Sequence, residues 1–260
     1  MNQPNSGRVA VITGAGSGIG AATAHRFATD GYTVILIGRT QTTLHETAEH
    51  SPHPARMHPM VADTSDMQAI TSALDTAADQ HGRIDVLINN AAASGIGSIE
   101  QTSPEDYRTI TGAIDGTVFT SKAALPYLRA TRGSIINVGS NAALGGDWGQ
   151  AVYDMTKGAI RNLTNAMALD HGHEIRVNAI HPGAILTNPF LHDTFTEGGA
   201  PHAQFAERVP MGRAGEPAEV AAVIAFLAGA DAGYMNGAHI CVDGGLTASN
   251  GQANFYAHTS

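Results

Sequence analysis

The sequence predicts an α/β fold, a single doubly wound parallel sheet of about seven strands with helices on both faces. Three observations carry this expectation. Short β-branched runs alternate with longer helical patterns from end to end, as they do where parallel strands are joined by crossover helices. The runs are nearly continuously apolar rather than alternating, as strands covered on both faces are. A glycine-rich turn joins the first run to the first helical stretch, at the carboxyl edge where such sheets bind ligands.

The first strand is placed at 8–13, Arg-Val-Ala-Val-Ile-Thr, and feeds an Ala-rich helix at 18–30. A strand at 33–38 and a helix at 41–49 follow, then a strand at 55–62 and a helix at 66–81. The fourth strand, 84–90, leads to a helix at 104–130 that opens Ser103-Pro104-Glu105-Asp106. There serine is the N-cap, proline takes the first turn and the acids face the helix dipole. Strand 133–139, helix 149–170, strand 175–181, helix 216–229 and strand 238–243 complete the pattern. The stretch 184–214, rich in Gly, Pro and His, is too long for an ordinary connection and reads as a substrate loop or lid. Residues 249–260 form a C-terminal tail, and 1–260 read as one domain.

With 43% hydrophobic and 14% charged residues, the chain can bury a large core. A net charge of −9 argues against nucleic acid, an anionic membrane surface or an acidic carrier protein as partner. Cys241, the sole cysteine, rules out an intramolecular disulfide and fits a reducing compartment; in Ala-His-Ile-Cys-Val-Asp it reads as a small buried hydrophobe. With no apolar signal segment at the N-terminus, the expected location is the cytoplasm.

The turn reads Thr13-Gly14-Ala15-Gly16-Ser17-Gly18-Ile19-Gly20. Glycine permits the tight turn and lets backbone N–H groups approach a pyrophosphate, which the helix N-terminus stabilises. Its last two glycines are one residue apart, unlike the common dinucleotide fingerprint, and no Lys-Ser/Thr ending marks a phosphotransferase loop. The second strand ends Ile37-Gly38-Arg39-Thr40. Without an acid to bond the adenosine ribose, and with Arg39 available to a 2′-phosphate, NADP(H) is preferred, NAD(H) remaining an alternative.

Tyr153 and Lys157 lie one turn apart on one helix face, and Ser140 ends the preceding strand at the carboxyl edge. Tyrosine ionises near ~10, and a neighbouring ammonium favours the phenolate. Such a tyrosine can exchange a proton with an alcohol or carbonyl oxygen to which Ser140 also hydrogen-bonds while hydride moves.

Together these stretches resemble the short-chain dehydrogenase/reductase family. The resemblance covers residues 8–247 and adds Asp63, Asn89-Asn90-Ala91-Ala92, Arg176-Val177-Asn178-Ala179, Pro182-Gly183, Pro210-Met211-Gly212-Arg213 and Val242-Asp243-Gly244-Gly245. It implies a Rossmann-type domain with catalytic Ser140, Tyr153 and Lys157 and cofactor contacts at Gly14, Ser17, Gly18, Ile19, Gly20, Arg39, Asp63, Asn89 and Ala91. Tyr153, Lys157, Ile185 and Thr187 are implied at the nicotinamide end, with Lys157 bonding its ribose as well as tuning the tyrosine. It further implies a homotetramer built on the helices 104–130 and 149–170 and the C-terminal segment. Ala113 stands where many members carry a relay asparagine; a backbone carbonyl at 113 offers another hold for the relay water.

The histidines suggest no metal: His45 and His50 are five residues apart, which turns the second about 140° from the first. Gly145-Gly146-Asp147-Trp148-Gly149 reads as a wall of the substrate pocket, with Trp148 against substrate or lid. The expected function is NADP(H)-preferring interconversion of a secondary alcohol and a ketone, with small ketones, sterols, sugars and quinones all open as substrates. A 3-oxoacyl carrier reductase or an NAD-dependent dehydrogenase is the alternative within this class, and a cofactor-binding regulatory protein that has lost turnover is the rival outside it.

Overall fold

The computed structural model describes residues 7–95, 97–187, 189–195, 205 and 207–249. The tail from 250 and the middle of the 184–214 loop lie outside the described residues. Seven parallel strands form one sheet: β1 (Val9–Thr13), β2 (Thr33–Gly38), β3 (Met57–Val61), β4 (Val86–Asn89), β5 (Ser134–Val138), β6 (Arg176–Pro182) and β7 (His239–Val242). Their order is β3-β2-β1-β4-β5-β6-β7, so the direction of winding reverses between β1 and β4. That reversal opens a crevice at the carboxyl edge.

The helices are α1 (Gly18–Thr29), α2 (Gln41–Glu49), α3 (Met67–His81), α4 (Pro104–Thr131), α5 (Ala151–His171), α6 (Pro189–Phe195) and α7 (Pro217–Ala228). Successive strand residues point to opposite faces. In β1, Ala10 and Ile12 therefore join Phe27 of α1, Leu44 of α2 and Ile224 of α7 in one core. Val9 and Val11 join Leu74 of α3, Leu128 of α4 and Met167 of α5 in the other. The interior strands β1 and β2 are apolar along nearly their whole length because both faces are covered.

Element ends match the sequence expectation to within one or two residues. Residues 55 and 56, expected in the third strand, belong instead to a 3₁₀ turn started by Pro54. Ser103 Oγ accepts from the amide of Asp106, whose carboxylate accepts from the amide of Ser103, so α4 begins with a closed capping box. Edge strands break the rule of two covered faces. In β3 Val61 is exposed, and Pro59 is tolerated because an edge strand need not donate on its outer side. Cys241, expected as a buried hydrophobe, is exposed because β7 closes the other edge of the sheet.

Two ties fix the site's surroundings. The guanidinium of Arg176 donates to the carbonyls of Leu227 (2.8 Å), Ala232 (3.0 Å), Gly229 (3.2 Å) and Ala228 (3.4 Å), capping α7 and locking it to β6. The ends of the 184–214 loop lie side by side, with Leu186 N–H donating to Gly215 O at 2.9 Å and Gly215 N–H to Ala184 O at 3.0 Å. Among the described residues no helix is long and apolar enough to cross a membrane.

Candidate active site

The glycine turn closes on itself so tightly that side chains are excluded. Gly14 and Gly18 have φ of +63° and +52°, the left-handed region that favours glycine. A Cβ on Gly14 would stand 2.9 Å from Ala91 Cα, and one on Gly20 would collide with the carbonyl of Gly14. The end of β4 clamps the turn. Asn90 Nδ2 donates to the carbonyls of Thr13 (3.0 Å) and Gly14 (3.1 Å), while Thr13 Oγ1 accepts from the amides of Asn90 and Ala91, both at 3.0 Å. Sequence reasoning missed this role of Asn90, although the residue sits in the Asn-Asn-Ala-Ala motif.

Ser17 caps α1 with extended backbone, and its hydroxyl makes no bond to the helix amides. Those first-turn amides therefore remain available to an anion. They open onto a cleft of about 490 Å³, a size typical of ligand sites. Of the expected cofactor contacts, Gly14, Ser17, Gly18, Ile19, Arg39, Asp63, Ala91 and Thr187 line it; Gly20, Asn89 and Ile185 do not. Asn89 is buried behind it, donating to Ser121 Oγ and Asn137 Oδ1, both at 2.9 Å. Ile185 is buried in the core beside α7. The far wall comes from Arg108, Thr109, Gly112 and Ala113 of α4; their i, i+4 spacing was a signal, but an ordinary helix face carries the same one.

At the outer end of the cleft, Asp63 Oδ1 accepts from the amide (2.9 Å) and hydroxyl (2.8 Å) of Ser65. These bonds, assisted by the charge of Arg39, hold its carboxyl below the usual range. An acid, a cation and a row of open amides around a glycine-walled cleft fit the adenosine and phosphate parts of a dinucleotide.

Ser140, Tyr153 and Lys157 do not line this cleft; they gather beside it at the ends of β5 and α5. Ser140 starts a 3₁₀ turn over 141–143, with Oγ accepting from Ala142 N–H at 3.2 Å and donating to Asn141 Oδ1 at 3.1 Å. Lys157 is buried, and its Nζ donates to Val138 O at 3.0 Å and stands 5.6 Å from the centre of the Tyr153 ring. Burial brings its ammonium down to about 8.

The expectation that the ammonium would favour a phenolate needs correction for the cofactor-free protein. Burial raises the Tyr153 phenol above its ordinary value; a hydrogen bond with Ser140 lowers it again, and the charges of Asp147 and Asp154 add to the rise. Neither acid stands out in the sequence. Asp154 Oδ2 accepts from Asp147 N–H at 2.8 Å, while its Oδ1 is buried without a protein partner. Burial, then the charge of Asp154, raises the Asp147 carboxyl.

Two further expectations change. Trp148, expected against substrate or lid, is 96% exposed. The carbonyl of Ala113, expected to hold a relay water, accepts from Thr117 Oγ1 at 2.8 Å. Inside the uninterrupted α4 it also serves the helix ladder, so both lone pairs are engaged.

Comparison with known proteins finds dehydrogenases and reductases along nearly the whole chain. The family model described as enoyl-(acyl carrier protein) reductase matches residues 14–247. Meso-2,3-butanediol dehydrogenase of Serratia marcescens is 47% identical over 249 residues, covering 94% of this chain and 96% of the relative. The 3-oxoacyl-[acyl-carrier-protein] reductase of Thermotoga maritima is 35% identical over 246 residues, covering 92% and 98%. Ligand-free aldohexose dehydrogenase of Thermoplasma acidophilum superposes with a TM-score of 0.84 at 30% identity, covering 97% of this chain and 98% of that one. A short chain dehydrogenase from Bacillus anthracis gives the same score and identity, covering 95% and 99%.

Proposed function

The chain belongs to the short-chain dehydrogenase/reductase family, NAD(P)-dependent oxidoreductases acting on CH–OH and C=O groups, and on that premise we propose that it interconverts a small secondary alcohol and its ketone with Tyr153 as acid and base. The single observation that carries this reading is the grouping of Ser140, Tyr153 and buried Lys157 beside a dinucleotide-sized cleft.

A bound nicotinamide gives or takes the hydride. The chain's own groups handle the oxygen and its proton. In reduction Tyr153 Oη gives a proton to the carbonyl oxygen as charge develops there, and Ser140 Oγ donates a hydrogen bond to the same atom. In oxidation Tyr153 receives the proton. In the cofactor-bound enzyme the positive charge of Lys157, 5.6 Å from the centre of the Tyr153 ring, would work against the rise that burial and the two acids impose on the phenol.

NADP(H) is the proposed partner, because Arg39 at the rim of the cleft offers a planar cation to a 2′-phosphate where Gly38 leaves room. For the substrate we favour a vicinal diol and its hydroxyketone. The butanediol dehydrogenase supports that choice, as does Asp147, whose carboxyl acts on the phenol and supplies an acceptor for a second hydroxyl. A tetramer is proposed as well: Tyr107 and Val118 of α4, Met155 and Leu169 of α5 and Phe226 of α7 present apolar surface outward.

The test is turnover of acetoin, 2,3-butanediol and a panel of simple ketones with NADPH and with NADH. The reading expects the highest kcat/KM for a hydroxyketone with NADPH. Tight NADPH binding with no turnover of any substrate would favour the regulatory alternative.

A further inference from the structure

Behind Ser140 a buried imidazole holds the backbone. His181, on β6, is buried, and its Nδ1 lies 2.9 Å from Ser140 O. The ring fills the space beside Gly139, where a Cβ would stand 2.7 Å from Cε1. Its Nε2 lies 2.9 Å from Nδ1 of His239 on β7, the rings stacked with centroids 5.2 Å apart. Beyond it, His239 Nε2 lies 2.7 Å from Oδ1 of Asn165. Asn165 is on α5, roughly two turns beyond Lys157.

The donor inventory fixes the protons in this chain. A carbonyl only accepts, so His181 Nδ1 carries a hydrogen and its Nε2, if the ring is neutral, accepts from His239 Nδ1–H. His239 Nε2 then offers a lone pair, which Asn165 satisfies by presenting its NH₂. With the oxygen presented, as it is placed in the structure, Nε2 must carry a hydrogen as well, and the two rings together hold one extra proton. Amide orientation and the charge of the pair are therefore a single event. The charges acting on the rings are Arg161 and Lys157, both on α5, besides the partner imidazole. Burial, assisted by these cations, brings His181 down to about 4 and lowers His239, which favours the neutral pair and with it the amide turned to present its NH₂.

We propose that His181 and His239 are positioning residues for the reaction, tying the peptide of Ser140 to the helix that carries Tyr153 and Lys157. The proposal rests on the oxidoreductase reading of the site. His181 falls between the Arg-Val-Asn-Ala and Pro-Gly motifs and His239 ahead of Val-Asp-Gly-Gly, and neither ring lines the cleft.

The experiment compares wild type, His181→Asn, His181→Leu and His239→Phe in kcat, KM for NADPH and Tm, with ¹⁵N-histidine spectra of the wild type. An asparagine amide reaches near the place of imidazole Nδ1 and still donates to Ser140 O, so His181→Asn keeps kcat within about threefold. His181→Leu lowers kcat about tenfold or more with KM for NADPH unchanged. His239→Phe, on the edge strand, lowers kcat about threefold with KM for NADPH unchanged. The spectra show both rings as Nδ1–H tautomers at pH 7. Equal kcat in His181→Leu and wild type, equal losses in the Asn and Leu variants, losses that follow Tm across all three, or an Nε2–H tautomer for His181 would each overturn the proposal. A wild type that binds NADPH yet turns over nothing overturns the functional reading and this role together; wild-type turnover with an indifferent Leu variant overturns this role alone.

Discussion

Lys157 stands 5.6 Å from the centre of the Tyr153 ring while donating to Val138 O at 3.0 Å, so one buried cation joins the phenol's helix to the end of β5, two residues before Ser140. That arrangement is unfavourable for stability. A fully buried ammonium with one hydrogen bond is held below its ordinary pKa of 10.5, at about 8. The unfolded state binds the more protons between those values, so this residue's penalty is full below pH 8 and fades as pH rises toward 10.5.

Lys157→Met is therefore expected to be more stable than wild type at pH 7, by about 1 to 3 kcal/mol, while losing about a hundredfold or more in kcat. Urea unfolding at pH 7 and pH 10 checks the first part, with the gap between the proteins narrowing at the higher pH. A destabilised Lys157→Met would mean that the bond to Val138 outweighs the cost of burying the charge.

Cofactor choice is expected to follow Arg39. Replacing it by alanine removes the cation for a 2′-phosphate, so KM for NADPH rises about 10- to 100-fold and KM for NADH changes little. Steady-state kinetics with each cofactor at saturating ketone give the answer. Equal changes for both cofactors would place Arg39 outside phosphate recognition.

The two acids beside the phenol set a pH dependence with a defined sign. A negative charge disfavours the phenolate, and Asp147 and Asp154 both raise Tyr153. Asp147→Asn removes one of those charges, so the rising limb of the alcohol-oxidation pH profile moves to lower pH. A limb that stays in place, or moves up, contradicts the assignment of that limb to Tyr153.

Much of this was legible in the sequence because the signals were local. The strand from Val9 to Thr13, the turn through Gly20 and the capping box at Ser103 each depend on neighbours within a few residues. The candidate site was legible where residue types are chemically distinctive, as at Tyr153 and Lys157, which the fold brings together. What could not be read depends on which strands become neighbours. Cys241 is exposed because β7 is an edge, and an apolar run gives no sign of its rank in the sheet. His181 meets His239 only because β6 pairs with β7. Asn90 clamps the glycine turn across the gap between β4 and β1, a contact no spacing reveals. The rise at Tyr153 follows from burial, which a helical i, i+4 pattern does not measure.

The central claim is that the Tyr153 hydroxyl carries the proton between substrate oxygen and protein. Its most direct test is single-turnover reduction by Tyr153→Phe, with NADPH affinity measured on the same sample. The account predicts a loss of about 10² to 10⁴ in the rate of hydride transfer with NADPH affinity essentially unchanged. Turnover within a few-fold of wild type would contradict it.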